Sequence, residues 1–157
     1  MEKVRENHAG GISMIAFIVA VAVSLSYYQY VYLPESSAKP NVPEEVANPS
    51  QTVQVSIVEG SALPSNPEFF APKDVRGALG VDNKIVWTNA DTTPHTVTTD
   101  TDFHDKLNGK FDSMETIGIV APGQTYEFTF TEEGEFPYHC EPHPWMTGSV
   151  EIVKSFS

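Results

Sequence analysis

Residues 138–153 read YHCEPHPWMTGSVEIV, and this stretch is the most informative part of the 157-residue chain. It contains Cys140, His143 and Met146, spaced as C-x2-H-x2-M. One strand pattern ends near Cys140 and another begins near Gly148, so we expect three potential metal donors in one tight loop at the end of a β-sandwich. A cysteine, a histidine and a methionine so close together indicate a metal site more strongly than any one of them alone.

Upstream of this loop, short segments alternate between apolar and polar residues. They are TVQVSIV (52–58), KIVWTN (84–89), HTVT (95–98), QTYEFTFT (124–131) and EFPYHC (135–140), and GSVEIV (148–153) follows the loop. Turn-forming sequences such as PSNP (64–67), NADTTP (89–94) and APGQ (121–124) separate them. This pattern predicts an all-β sandwich or barrel, with Trp87 and Phe128 in its core. An immunoglobulin-like adhesion module is one such sandwich, so the fold class alone leaves the function open.

A second segment, WTNADTTPHTV (87–97), places His95 just after a turn and at the start of a strand. Copper that alternates between Cu(I) and Cu(II) needs ligands that suit both states, and thiolate, thioether and imidazole together meet this need. Two histidines and one cysteine in a plane, with a weak axial methionine, form a blue-copper site. We therefore predict one copper ion bound by His95, Cys140 and His143, with Met146 as the axial ligand.

Other metal proteins remain alternatives at this point. A copper chaperone or storage protein uses similar soft ligands but is expected to leave its copper exposed and exchangeable. A copper enzyme such as a nitrite reductase needs a second, histidine-rich copper site, and the sequence has no spare histidine cluster: His139 is expected to face away from Cys140, and His104 lies among acidic residues. A zinc site made of one cysteine and two histidines needs a water molecule, and Met146 argues against it.

These segments resemble the cupredoxin family, and most closely its amicyanin and plastocyanin branches. The short loop CEPHPWM is similar to the amicyanin loop, and APGQTYEFTFTEEGEFPYHCEPHPWMTG resembles the family over a longer stretch. The resemblance covers roughly residues 51–154. It implies a Greek-key β-sandwich with one type 1 copper and outer-sphere transfer of single electrons. The ligands of the family align with His95, Cys140, His143 and Met146.

The resemblance also implies how electrons enter and leave. In the family the edge of the loop histidine, here His143, reaches solvent through an apolar patch, for which Pro94, Pro144 and Trp145 are candidates. The protein is then an electron carrier for redox proteins that dock near His143, without a small-molecule substrate and without enzymatic turnover. Many family members have Asn directly after the upstream histidine, where it ties the two ligand segments together. Here that residue is Thr96, whose hydroxyl is expected to do part of the task.

The first 33 residues form a different kind of segment. No charged residue occurs between positions 7 and 34, and residues 12–33 are dominated by apolar side chains. About 20 apolar residues in a helix cross a bilayer, and Lys3 and Arg5 before them are expected to stay in the cytoplasm. We predict that residues 1–33 are a single-pass anchor in the cell membrane, with the copper domain on the extracytoplasmic side. A cleaved signal peptide is the alternative, and it also exports the rest of the chain.

Residues 34–50 read PESSAKPNVPEEVANPS, a proline-rich and acidic composition that is typical of a linker. This leaves residues 51–157 as the cupredoxin domain. The net charge is −12, and because residues 1–33 sum to zero the excess acid lies in the remainder. Such a surface excludes nucleic acid as a partner and favours a partner with a positive patch. The candidates for steering that partner are Asp100, Asp102, Asp105, Asp112, Glu115, Glu132, Glu133 and Glu135.

Overall fold

A computed structural model describes residues 8–36 and 41–155. The chain divides into two compact units, residues 1–39 and residues 40–157. The predicted cytoplasmic residues Lys3 and Arg5 lie outside the described residues, and so do positions 37–40 of the predicted linker.

The first unit is helical throughout its described part. Helix α1 spans His8–Tyr27, a π-helical stretch spans Tyr28–Tyr32, and helix α2 spans Leu33–Ser36. The segment Ser13–Glu35 has a mean hydropathy of 1.7, and its side chains are exposed. Among the described residues this is the one helix that is long and apolar enough to cross a membrane, a property that a signal sequence shares.

The second unit is built almost entirely of strands, as predicted. The elements are α3 (Glu44–Ala47), β1 (Thr52–Ile57), β2 (Phe70–Ala71), β3 (Asp74–Ala78), β4 (Lys84–Asn89), β5 (Thr98–Thr99), β6 (His104–Asp105), β7 (Gly109–Lys110), α4 (Ser113–Thr116), β8 (Thr125–Thr129), β9 (Gly134–Cys140) and β10 (His143–Val153). One sheet has the order β2-β1-β4-β8, a second has the order β3-β10-β9-β5, and β6 pairs with β7.

The core lies between the two sheets and is rich in aromatic rings. Trp87 on β4 is fully buried, and its ring centroid lies 5.5 Å from those of Tyr126 on β8 and Tyr138 on β9, and 5.4 Å from that of Phe111. Aromatic pairs at such distances add to the free energy of burial. Since Tyr138 and Cys140 are both inward-facing residues of β9, this packing also positions the strand that carries the cysteine.

Several elements differ from the sequence-based expectation. Strands β2, β3, β6 and β7 were not predicted; three of them have only two residues, too few to show a period-2 pattern. The predicted strand over 95–98 is an isolated bridge between His95 and Val120, followed by β5. The last strand begins at His143 rather than Gly148, because the chain pairs with β9 from Cys140 onward.

The N-terminal end of the second unit is held by a buried asparagine. The side-chain amide of Asn83 donates to the carbonyls of Val46 at 2.8 Å and Phe130 at 2.7 Å, and its oxygen accepts from the N–H of Gly80 at 2.9 Å. Helix α3, which falls within the predicted linker, therefore packs on the β unit. Asn83 precedes the start of β4, whereas the end of β4 leads towards His95, so helix α3 lies at the end of the β unit opposite the predicted metal site.

Two of the acids predicted to steer a partner are buried, and for these two the prediction is wrong. Asp105 accepts hydrogen bonds from the backbone N–H and hydroxyl of Thr131, and Asp112 accepts from the N–H of Met114 and pairs with Lys110. Both carboxylates satisfy donors that folding would otherwise leave without partners. Neither of them presents an exposed charge.

Candidate metal centre

His95 is brought to the centre by the turn that follows β4. The buried side-chain amide of Asn89, the last residue of β4, donates to the carbonyls of Thr93 and Val120, both at 2.9 Å. His95 and Val120 then exchange two backbone hydrogen bonds of 3.1 and 2.9 Å. These bonds fix the backbone around His95, whose side chain is fully buried.

Cys140, His143 and Met146 lie in the hairpin that joins β9 to β10. Cys140 ends β9, His143 begins β10, and the two residues are opposite each other in the register. The register then shifts between His143 and Thr147, an irregularity of the kind that redirects side chains beside functional sites. Met146 lies within this irregular stretch and is fully buried.

Three of the four predicted ligands converge. The Nδ1 atom of His95 lies 3.6 Å from the Sγ atom of Cys140, and the Nδ1 atom of His143 lies 3.5 Å from the same sulfur. All three donor atoms lie within 4.8 Å of one another, and no other such group of histidine, cysteine and acidic side chains occurs among the described residues. Cys140 and His95 are buried, and His143 is half-buried.

These separations fit one shared metal ion. Metal–nitrogen and metal–sulfur bonds are about 2.0–2.3 Å long in zinc sites, so two donors about 120° apart on one ion lie roughly 3.6 Å from each other. The observed distances of 3.6 and 3.5 Å agree with this geometry. One thiolate and two imidazoles are ligands that copper favours.

Thr96 connects the two segments that carry the donors. Its backbone N–H points to the Sγ atom of Cys140 at 3.3 Å, and its hydroxyl accepts a hydrogen bond of 2.9 Å from the N–H of Glu141. The threonine thus joins the His95 segment to the hairpin on both sides of the Cys140 side chain. Its side chain thus makes a contact between the two segments, as the asparagine found at this position in many cupredoxins does.

Asp91 belongs to the centre, although the sequence analysis did not single it out. Its Oδ2 atom lies 2.8 Å from the Nε2 atom of His95, and both side chains are buried. Only the tautomer with a proton on Nε2 leaves the Nδ1 atom of His95 free to bind a metal, and this carboxylate stabilises that tautomer. The only signal in the sequence was an acid four residues before a predicted ligand, within a segment typical of a turn.

Trp145 occupies the outer side of His143. The two ring centroids lie 5.4 Å apart, and the indole N–H donates to the carbonyl of Ser61 at 3.1 Å. Trp145 is 36% exposed, and Pro142 and Pro144 on either side of His143 are also exposed. The half-buried His143 therefore has an exposed aromatic ring beside it and an exposed proline on each side in the chain.

The other two histidines of the second unit lie apart from the three donors. His139 pairs with Asp100, which follows β5, and the exposed side chain of His104 on β6 lies 3.4 Å from Asp102. The burial pattern of β9 places His139 on the face opposite to Cys140, as the alternation predicted.

The protonation of the donors follows from their burial. Burial raises the pKa of the Cys140 thiol above its ordinary value. Burial also lowers the pKa of His143, and the neighbouring His95 lowers it further. Near pH 7 the metal-free centre thus holds a neutral thiol and an imidazole with a free lone pair at His143. Binding a metal through the thiolate releases a proton.

Comparison with known proteins assigns the family. The sequence profile described as copper binding proteins, plastocyanin/azurin family, matches residues 64–153. This range contains His95, Cys140, His143 and Met146 and covers more than half of the chain. The protein belongs to the plastocyanin/azurin family of copper-binding proteins.

Curated relatives and a solved structure are also similar to this chain. Amicyanin of Paracoccus denitrificans is 28% identical over 113 residues, which cover 62% of this chain and 82% of amicyanin. Plastocyanin of Cucurbita pepo is 34% identical over 87 residues, which cover 53% of this chain and 86% of plastocyanin. The structure of a purple cupredoxin from Nitrosopumilus maritimus is similar with a TM-score of 0.53 and 29% identity, over 64% of this chain and 99% of that one. The predicted cupredoxin sandwich is confirmed.

The contact made by the Thr96 hydroxyl can be tested by removing it. Thr96→Val keeps the shape of the side chain but leaves the N–H of Glu141 without its partner. We expect this change to lower the free energy of unfolding of the metal-free β unit by about 1–3 kcal/mol. Urea unfolding would show a lower midpoint with an unchanged slope.

Thr96→Ser is the matched control, because it keeps the hydroxyl and removes only a methyl group. It should unfold close to the wild type. Equal midpoints for the valine and serine variants would show that the hydroxyl does not hold the two segments together.

Proposed function

We propose that this protein is a type 1 copper protein that carries single electrons outside the cytoplasm. His95, Cys140 and His143 would hold the ion, with Met146 as the fourth ligand. The observation that supports this most directly is the convergence of one cysteine sulfur and two histidine Nδ1 atoms within 4.8 Å. Copper, when bound, supplies a couple that gains and loses one electron with ligands suited to both states.

The surroundings of the donors favour electron transfer over catalysis or copper delivery. Cys140, His95 and Met146 are fully buried, which hinders access of water, substrate or a competing chelator. The bonds of Asn89, Thr96 and Val120 hold the donor segments in place, so that little rearrangement is expected when the charge of the ion changes. A chaperone or storage protein, the alternative function, is expected to leave its ion exchangeable, and the burial of these side chains disfavours that role.

Copper loading tests the ligand set. The full-length protein in detergent, loaded with Cu(II), is expected to show an intense blue thiolate-to-copper absorption band that ascorbate bleaches. Cys140→Ser should lack this band because the thiolate is its source. Met146→Leu should shift the reduction potential, since a methionine ligand tunes it.

Met114→Leu is the matched control for the axial ligand, because Met114 is 46% exposed and lies on α4. It should leave the band and the potential unchanged. A blue band that persists in Cys140→Ser would refute the ligand set. Rapid loss of the ion to a mild chelator would favour the storage or chaperone alternative.

Electrons are proposed to enter and leave through the edge of His143. It is the only one of the four proposed ligands that is not buried, and Pro144 and Trp145 beside it are exposed. A small apolar surface suits brief docking of a redox protein. Two of the acids first considered for steering are paired with lysines: Glu132 with Lys106 and Glu133 with Lys154, each at 3.2 Å. This pairing reduces their contribution to the negative electrostatic potential that would attract a partner.

The route through His143 can be tested with a small cationic reagent. Glu141 is exposed and lies two residues before His143. Glu135 is also exposed but lies at the other end of β9, five residues before Cys140, which is about 17 Å along a strand. With hexaammineruthenium(II) as reductant, Glu141→Gln should lower the rate of bleaching and weaken its dependence on ionic strength.

Glu135→Gln removes the same charge far from the proposed route and should have a smaller effect. Stopped-flow absorbance of the blue band measures both rates. Equal effects of the two variants would contradict entry at His143 and would indicate a response to net charge alone.

The apolar helix of the first unit is proposed to anchor the copper domain to the cell membrane. The supporting observation is the length and composition of Ser13–Glu35. The domain is proposed to lie on the extracytoplasmic side, where redox proteins of that compartment are its partners.

Membrane fractionation tests the anchor. Full-length protein should stay in membranes washed with alkaline carbonate, whereas a variant that starts at residue 40 and is exported by an unrelated signal should be soluble. Recovery of the full-length gene product as a soluble, shortened chain would show that the segment is a cleaved signal.

A further inference from the structure

The buried contact between Asp91 and His95 has a consequence for the redox balance of the centre. We propose that Asp91 is a positioning residue that holds a permanent negative charge against His95 and thereby favours the oxidised over the reduced copper ion. This inference rests on the proposed function, in which His95 binds copper through Nδ1. It concerns the opposite side of the same imidazole ring.

The carboxylate of Asp91 is held by four donors. Its Oδ1 atom accepts from the backbone N–H groups of Gly60 at 3.0 Å and Thr92 at 2.7 Å. Its Oδ2 atom accepts from the N–H of Ala62 at 3.3 Å and lies 2.8 Å from the Nε2 atom of His95. The side chain of Asp91 is 2% exposed. No rotation of this carboxylate is possible without the loss of several of these bonds.

These donors keep Asp91 ionised. Burial raises the pKa of the Asp91 carboxyl, but the hydrogen bonds from His95 and from the backbone of Gly60, Thr92 and Ala62 outweigh burial and lower this pKa to about 2. A carboxylate that accepts several N–H bonds is stabilised in its charged form. Three of the donors are backbone N–H groups that do not depend on the copper site, and they hold the carboxylate in its charged form, so the effect on copper comes from a constant charge rather than from a titration.

The sign of the effect on copper follows from the charge of the ion. The oxidised ion carries one positive charge more than the reduced ion, so a nearby fixed anion stabilises the oxidised form more. A carboxylate that accepts the second N–H of a ligating imidazole also makes the ligand more basic. Both effects lower the reduction potential. Water and salt screen them little, because both side chains are buried.

One loop connects this charge to the second histidine. The segment after β1 supplies the N–H groups of Gly60 and Ala62 to Asp91, and its Ser61 carbonyl accepts the indole N–H of Trp145 beside His143. Gly60 has a φ of +82°, a conformation that side chains with a Cβ rarely adopt. This single loop thus supports Asp91 behind one histidine and Trp145 beside the other.

The test compares reduction potentials of full-length, copper-loaded proteins in detergent. Asp91→Asn and Asp91→Ser remove the charge, and Asp91→Glu keeps it. We expect the neutral variants to retain the blue band and the type 1 electron paramagnetic resonance signal. Their ratio of Cu(II) to Cu(I) affinity should fall about tenfold, which corresponds to a potential about 59 mV higher for a one-electron couple. Asp91→Glu should stay closer to the wild-type potential.

Asp105→Asn is the matched control. Asp105 is equally buried and accepts hydrogen bonds from Leu107, Asn108 and Thr131, but it touches no proposed ligand. This variant should lower the thermal unfolding midpoint without moving the potential. A shift as large as that of Asp91→Asn would show that loss of a buried carboxylate, rather than the contact with His95, changes the potential, and it would overturn the inference.

The remaining outcomes separate this inference from the proposed function. A blue Asp91→Asn protein with an unchanged potential refutes the inference alone, whereas a wild type without a blue band refutes the proposed function and the inference with it. Loss of copper in both neutral variants but not in Asp91→Glu supports the role of the charge. Loss of copper in all three variants would make Asp91 a structural residue and overturn the inference.

Discussion

Two hydrogen bonds from Thr96 hold the centre together, and the remaining features of the site depend on them. One runs from the backbone N–H to the sulfur of Cys140, and the other joins the hydroxyl to the N–H of Glu141. They connect His95 to a hairpin that lies 45 residues later in the chain. Together with the pairing of β5 and β9, which begins two residues after Thr96, they keep the His95 segment next to the Cys140 hairpin.

The packed core of the sandwich positions the strands that carry the residues of the centre. The strands on either side of the centre are held by the aromatic packing of Trp87, Tyr126 and Tyr138, and Cys140 continues the buried face of the strand that contains Tyr138. A dense core tolerates few alternative positions of its strands. The donors at the ends of those strands are consequently placed before any metal binds, which is the condition for a centre that changes its charge with little change of shape.

Burial differs sharply around the ring of donors. Cys140, His95 and Met146 are enclosed, whereas His143 reaches the surface among apolar side chains. Asp91 lies next to His95 and Trp145 lies next to His143, and the loop that follows β1 makes hydrogen bonds to both Asp91 and Trp145. One histidine thus faces a fixed anion in the interior, and the other faces the surface on which a redox partner is proposed to dock. The two histidines are chemically alike, but their surroundings differ.

Local pattern and composition were sufficient to predict the all-β unit, the strands of the core and the cluster from Cys140 to Met146, because alternation and ligand spacing are properties of neighbouring residues. His95 was predicted from its position after a turn and at the start of a strand, and the family resemblance agreed with it. The tertiary structure was needed to show that Asp91 binds His95, that Thr96 substitutes for asparagine, and that Asp105 and Asp112 are buried. Each of these depends on groups brought together from distant positions or on the direction of one side chain, and periodicity along the chain contains no information about either.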